Sequence, residues 1–347
     1  MKTADFDFDL PPEQIAAYPT RPRDHARLLV VENDQRLDQR MTMLPSLLSP
    51  GDVLVFNDTS HSGAPAWASW VGRSRNAVAA PRSRTQCLAC YGASGETPPK
   101  GDEVCFAPGF SAEVLGRLPD GGVRVCFRVG NESNNTLSLA LKKHGEIPLP
   151  PYIPRPEGPQ PSDQEDYQTL FAQTEGAIAA PTAGLHFTPS LVESLRARGV
   201  IMVPVTLHVG AGTFLPVKTE SLADHQMHAE AGIISEEVAK TINAARSAGG
   251  QVTAVGTTVL RLLETVADRQ GNLRPFFGDT DLFITPGRQF RIVDRLLTNF
   301  HLPRSTLFVL VCAFAGIERM RAAYDHAIRN GYRFYSYGDG SLLRRAS

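Results

Sequence analysis

The chain has 347 residues, 42% of them hydrophobic and 20% charged, with a formal net charge of −1. That composition is globular, the length suits two domains, and the balanced charge excludes global attraction to nucleic acid, so an RNA partner would need a local basic patch. No run reaches the roughly 18 apolar residues of a membrane span; the acidic start does not read as a secretory leader, and the five scattered cysteines fit free thiols in a reducing cytoplasm.

In chain order, Leu10 to Ala17 opens on a proline pair and predicts a short helix. Arg27 to Glu32 reads as a buried strand, and Gly51 to Thr59 as a turn, an apolar strand and a polar end, Asn57-Asp58-Thr59. Residues 60–95 hold no Asp, Glu, Ile, Phe or Met and a single Leu, so they offer little to bury and no alternation. Three period-two runs between 101 and 130 predict a small antiparallel β module. Leu137 to Lys143 predicts a helix, and six prolines between Ile147 and Gln160 predict a rigid connector.

Beyond residue 165 the pattern becomes mixed α/β. Pro189 to Gly199 predicts a capped helix, Val203 to Val209 a strand, Glu236 to Ala248 an amphipathic helix, and Val252 to Gly256 a strand feeding a helix through Val266. Asp281 to Ile284 predicts a strand, and Leu307 to Ala315 an apolar helix or strand. Each glycine- or hydroxyl-rich run follows an apolar strand, where α/β folds gather ligands.

Three such runs suggest an enzyme pocket: Pro181-Thr-Ala-Gly-Leu-His-Phe-Thr188, Thr206-Leu-His-Val-Gly-Ala-Gly-Thr-Phe214 and Leu297-Thr-Asn-Phe-His-Leu-Pro-Arg-Ser-Thr306. Their histidines, His186, His208 and His301, can donate, accept or carry a proton near neutral pH. Thr182, Gly184, Thr206, Gly210, Gly212 and Thr213 add hydroxyls and close backbone approach. His228 beside Glu230 is either an imidazole oriented by a carboxylate or a surface helix start. Asn57, Asp58 and Thr59 form either an Asx turn or a ribose contact. Gly256-Thr257-Thr258 is a helix cap or an anion site, and the aromatics of Phe334 to Asp339 are base-stacking or simply core. The histidines lack zinc-site pairing and the glycines fit neither GxGxxG nor the P-loop, so no metal is expected and no nucleotide fold is indicated.

Taken in order, these runs resemble the S-adenosylmethionine:tRNA ribosyltransferase-isomerase family of queuosine biosynthesis. Phe6-Asp-Phe-Asp-Leu-Pro11, Arg23-Asp-His-Ala-Arg-Leu-Leu-Val30, Gly176 to Thr188, Val205 to Val217, Met227 to Glu230, Ala254 to Arg261, Phe283 to Gly316 and Tyr332 to Asp339 all match. The resemblance implies transfer and isomerisation of the ribosyl part of S-adenosylmethionine, a co-substrate with no separate cofactor, onto 7-aminomethyl-7-deazaguanine at the wobble position of a GUN-anticodon tRNA. The expected products are epoxyqueuosine, adenine and methionine, made by a cytoplasmic monomer. His186, His208 and His301 would then be base and acid, with Thr206, Thr213, Thr257 and Asn299 orienting ribose and methionine groups. Arg261 would hold a carboxylate or a phosphate.

The expected architecture is a discontinuous mixed α/β main domain, 1–59 with 151–347, and an inserted antiparallel β-barrel-like domain at 60–150. The pattern breaks after Asn57-Asp58-Thr59. Ser60 to Trp67 and Gln86 to Thr97, slid by one nucleotide, can be reread as family-like runs, which suggests a compensated frameshift between about 60 and 99 and a poorly packed segment there. Cys87, Cys90, Trp67 and Trp70 would be its by-products. Two other functions stay open: a catalytically impaired tRNA-binding remnant, and a related enzyme acting on a small nucleobase.

Overall fold

The structure is a computed structural model. It describes every residue except 62–84, 91–98, 118–122, 131–136, 146–148, 151, 157, 159, 178, 210–218, 228 and 347, and gives 61, 85–90, 138 and 142 by backbone alone. Contacts divide the chain into two compact units, Met1–Ser60 with Asp166–Ser347, and His61–Glu165.

The chain begins with β1 (Arg27–Glu32), β2 (Gln35–Arg40), the short helix α1 (Leu44–Leu47), β3 (Val53–Asn57) and β4 (Thr59–His61). It continues through β5 (Thr85–Cys90), β6 (Glu103–Ala107), β7 (Phe110–Arg117), β8 (Val123–Val129), α2 (Leu137–His144) and α3 (Asp163–Asp166). Next come β9 (Thr174–Ala177), α4 (Pro189–Ala197), β10 (Ile201–Leu207), β11 (Glu230–Ile234) and α5 (Glu236–Ser247). The last elements are β12 (Val252–Val255), α6 (Thr257–Val266), β13 (Phe276–Thr280), β14 (Arg295–Asn299), α7 (Thr306–Ala315), α8 (Ile317–Arg329) and β15 (Gly340–Arg344).

In the first unit nine strands form one sheet, ordered β13-β11-β10-β3-β12-β14-β15-β1-β2. Its centre, β10-β3-β12-β14, is parallel. Antiparallel strands flank that centre, β11 beside β10 and β15 beside β14, so the sheet is mixed. On one face Leu28, Leu54, Val255, Leu297 and Leu342 meet Leu191 and Leu195 of α4 in one buried cluster. Helix α6 crosses β10, β3, β12 and β14, and its residues Thr257 to Glu264 are all buried.

Local signals explain the helices. Ser235 caps α5 by accepting from Val238 N–H, Glu236 and Glu237 favour its positive end, and Val238, Ala239, Ile242 and Ala245 fall on one buried face. Thr188 and Ser305 cap α4 and α7 in the same way. The run from Leu307 is thus a helix, and it is apolar all round because it is buried: Phe308 to Cys312, Phe314 and Ala315 are shielded from solvent. Phe300, Phe308, Tyr324 and Phe334 join the N-terminal Phe8 in one aromatic cluster with centroids 4.5–6.4 Å apart. Phe334 is therefore core, and the turn it opens precedes β15.

Two expected elements differ. Leu10 to Ala17 is not a helix beyond the single turn Pro12–Gln14. Its main chain is spent on the C-terminal turn, since Phe334 N–H donates to Gln14 O at 2.8 Å and Ala16 N–H to Phe334 O at 3.2 Å. The strand expected at Asp281 to Ile284 ends earlier, at Thr280, and Leu282 O instead accepts from Arg261 Nε at 2.9 Å.

In the second unit β5-β8-β7-β6 form one antiparallel sheet. Among the described residues this is an open sheet, and no barrel-like closure is seen among them. Phe110, Ala112 and Val114 alternate inward with Val123, Val125, Phe127 and Val129 against Leu137 and Ala140 of α2. On the other face Arg128 ion-pairs with Glu103 and Glu113 at 3.3 and 2.6 Å. Thr85–Cys90 is a strand despite its lack of alternation, because ladder bonds belong to the main chain. The expected poor packing of 60–99 falls largely outside the described residues, as do Trp67, Trp70 and the side chains of Cys87 and Cys90. The proline-rich stretch belongs to this unit: Arg155 forks onto buried Asp163 at 2.7 Å, and Gln160 N–H donates to the same carboxylate.

Candidate functional site

The parallel strands β3, β10, β12 and β14 end together, and their C-terminal ends carry four of the expected polar runs. This is where an open α/β sheet offers a crevice.

At the end of β14, Asn299 is the centre of a buried network. Its Nδ2 donates to Tyr335 O at 3.1 Å and Ser336 O at 3.3 Å, and lies 3.3 Å from His186 Nε2. The two hydrogens of this amide are shared among three neighbours, and His186 Nε2 fits the third place only as an acceptor. Thr182 Oγ1 stands 3.5 Å from Asn299 Oδ1. Thr182 to His186 form one 3-10 turn, in which Gly184 is buried against Thr169. Burial pushes the His186 pKa down to about 4, helped by the positive fields of Arg333 and Arg23, so the ring is neutral near pH 7. A narrow cleft opens beside it, lined by Thr20, Arg23, His186, Ser336, Tyr337 and Gly338.

At the ends of β3 and β10 a second group forms. Thr206 Oγ1 donates to Asp58 Oδ1 at 2.8 Å and Thr174 Oγ1 to Asp58 Oδ2 at 3.4 Å. His208 follows, half-buried, with its N–H donated to Ala231 O at 2.9 Å. Its Nδ1 is enclosed and has no hydrogen-bond partner among the described residues. Gly256 begins α6 with φ 92° and no side-chain cap, so Thr257 and Thr258 are buried at an uncapped helix start rather than acting as its cap.

Other expected site residues are spent on structure. Asn57 donates to Leu207 O at 2.9 Å and accepts from Leu207 N–H at 3.1 Å, clasping β3 to β10. Thr59 joins the same clasp through its N–H on Asn57 Oδ1 and its hydroxyl on Leu207 O. The ribose reading of Asn57 and Thr59 thus gives way to an Asx-type clasp, because both are buried with these partners. Arg261 and Glu230 form a buried ion pair, and Arg261 also donates to Leu282 O and Thr280 O. Those internal partners, at 4% exposure, take Arg261 away from the expected carboxylate or phosphate. His301 turns to Thr298, whose Oγ1 is 3.1 Å from its Nε2, and burial lowers its pKa to about 3. No described contact joins His301 to His186 or His208. Gly210, Gly212, Thr213 and His228 lie outside the described residues.

Sequence reasoning passed over two positions. Thr174 touches Asp58 and Gly176 touches His208; Thr174 had no sequence signal, and Gly176 only opened a family-like run without a role. Among the described residues no group of three His, Cys, Asp or Glu could hold a metal ion, and no helix is long and apolar enough to cross a membrane.

The comparisons with known proteins agree with one another. Residues 3–343 match the family model described as queuosine biosynthesis protein. The chain is 53% identical to the S-adenosylmethionine:tRNA ribosyltransferase-isomerase of Rhodospirillum rubrum, over 98% of this chain and 97% of that one. It is 52% identical to the Acidiphilium cryptum protein of the same name, over the full length of both. Among solved structures it is similar to the S-adenosylmethionine tRNA ribosyltransferase of Thermotoga maritima, 30% identical with a TM-score of 0.55, covering 97% of this chain and 99% of that one.

Proposed function

The chain belongs to the queuosine biosynthesis protein family, and we propose that it acts as an S-adenosylmethionine:tRNA ribosyltransferase-isomerase. In this reading the ribosyl part of S-adenosylmethionine passes to the amine of 7-aminomethyl-7-deazaguanine at the wobble position of a GUN-anticodon tRNA. Isomerisation gives epoxyqueuosine, and adenine and methionine leave. S-adenosylmethionine is a co-substrate with no separate cofactor, and the enzyme works as a cytoplasmic monomer.

The observation that carries this reading is the end-to-end likeness to enzymes of that name. The geometry adds roles. The sulfonium acidifies its adjacent carbon and is a good leaving group, so the reaction needs a base for that proton and an acid for departing adenine. His208, half-buried with one enclosed nitrogen, is the proton-transfer residue of this reading. His186, neutral and tied to Asn299, holds substrate by hydrogen bonding rather than as a cation. Asp58, aligned by Thr206 and Thr174, offers a carboxylate to ribose hydroxyls. His301 supports the end of β14 from within the core.

The test is adenine release from S-adenosylmethionine by the purified chain, with and without tRNA bearing the deazaguanine precursor. Release that depends on this tRNA is the expected result. Release without any tRNA would replace the reading with a small-nucleobase enzyme. Absence of release, recovered when residues 60–99 are exchanged for their family-like reading, would mean that the frameshift has silenced this copy.

A further inference from the structure

The chain entering strand β9 meets the ends of β3 and β10. Gln173 N–H and Thr174 N–H both donate to Asp58 O, at 2.8 and 3.1 Å, and the Thr174 hydroxyl reaches the Asp58 carboxylate. Two residues further on, Gly176 takes φ 134°, a conformation that L side chains rarely adopt. A Cβ built there would stand 2.9 Å from His208 Nδ1 and 3.0 Å from its Cε1, closer than real contacts allow. The imidazole therefore rests directly on the glycine backbone. The nitrogen facing Gly176 is the same Nδ1 that is enclosed and lacks a partner among the described residues.

We propose that Gly176 is a positioning residue for catalysis: its missing side chain is the seat of the His208 ring, and that seat leaves Nε2 as the nitrogen that meets substrate. This rests on the reading of His208 as the proton-transfer residue. Because one rigid strand fixes Asp58 through Thr174 and His208 through Gly176, it sets the separation of a carboxylate from an imidazole at the strand ends. Any L side chain at 176 pushes the ring off that spacing, and proton transfer is sensitive to shifts of this size. For Nε2 to accept a proton from substrate, the ring's own proton must sit on Nδ1, the nitrogen held against Gly176.

The experiment is a double-mutant cycle on the full-length chain, with precursor tRNA and S-adenosylmethionine, reading kcat and KM for adenine release. Gly176→Ala is expected to lower kcat about 100-fold, with both KM values nearly unchanged. In a His208→Gln background the same change should lower the residual rate by no more than about twofold, since its target is already gone. An equal loss in both backgrounds overturns the proposal, because Gly176 would then act through the backbone alone. Full activity of His208→Gln overturns the reading of His208 itself, and the proposal with it. Should Gly176→Ala fail to fold, ¹⁵N-histidine spectra of the wild-type chain, assigned with His208→Gln, decide. A bare Nε2 with Nδ1–H is expected, and Nε2–H overturns the proposal, because that ring could not accept a proton from substrate.

Discussion

At the N-terminal end of the parallel strands, Asp52 is saturated. Its buried carboxylate accepts from Ser49 N–H and Gln251 N–H at 2.9 Å each and pairs with Arg295 at 2.8 Å. Burial opposes its ionisation, but those amides and the guanidinium outweigh it and hold the carboxyl below its ordinary range. At the C-terminal end of the same strands two histidines are kept neutral by burial, and a third encloses a nitrogen with no described partner. Asp52 is thus completed by its neighbours at one end of the sheet, whereas His208 Nδ1 at the other has no partner among the described residues. Satisfied polar groups stabilise, whereas unsatisfied ones persist at a cost and mark sites.

The largest expected effect that separates the two ends is on catalysis. Asn299→Ala releases His186 and the turn at Tyr335 and Ser336 together, and should reduce kcat for adenine release about 100-fold. A variant with unchanged kcat would show that the network is only scaffolding. Asp52→Asn should do the converse. It leaves Arg295 unpaired and should cost about 2–4 kcal/mol in urea unfolding, while the folded fraction keeps its kcat. Lost activity at unchanged stability would reverse the assignment of the two ends.

The two ends should also respond to acid in different windows. His186 and His301 have folded pKa values near 4 and 3, below the unfolded value of 6.5. The unfolded chain therefore binds more protons over that interval, and the stability these rings contribute is present above pH 6.5 and lost as pH falls below it. For Asp52, lowered from 3.8, the loss comes only as pH falls through its still lower folded value. Melting temperature against pH should thus slope between about 4 and 6.5 in the wild type, and less steeply in His301→Gln. An unaltered slope in that variant would contradict the buried neutral state of His301. The smallest effect is expected at neither end: Phe277, 85% exposed on edge strand β13, should change stability by less than about 0.5 kcal/mol when replaced by Ser. A larger loss would mean that this edge is covered.

Much of the fold could be read in advance where the signal was local. Thr188 and Ser235 stand at the starts of helices that periodicity predicts, whereas Leu307 to Ala315 could be read as helix or strand, and apolar strands ending in Asn57-Asp58-Thr59 or Thr298-Asn299 announce where polar side chains collect. The site was legible as a set of runs but not as a set of roles. Arg261 on α6 fitted an anion anchor until Glu230 of β11 took it, and Asn57 fitted either an Asx turn or a ribose contact until Leu207, 150 residues away, claimed its amide.

The sequence by itself determined the family and most element types, though not those of Leu10 to Ala17 and Asp281 to Ile284, because caps, periodicity and motif order are properties of neighbouring residues. Only the tertiary structure decided which histidine is held against which partner. His186 went to Asn299, His301 to Thr298 and His208 to the bare backbone of Gly176. Burial and hydrogen-bond partnership depend on chain segments brought together by folding, and these set both the protonation of an imidazole and the direction in which it points.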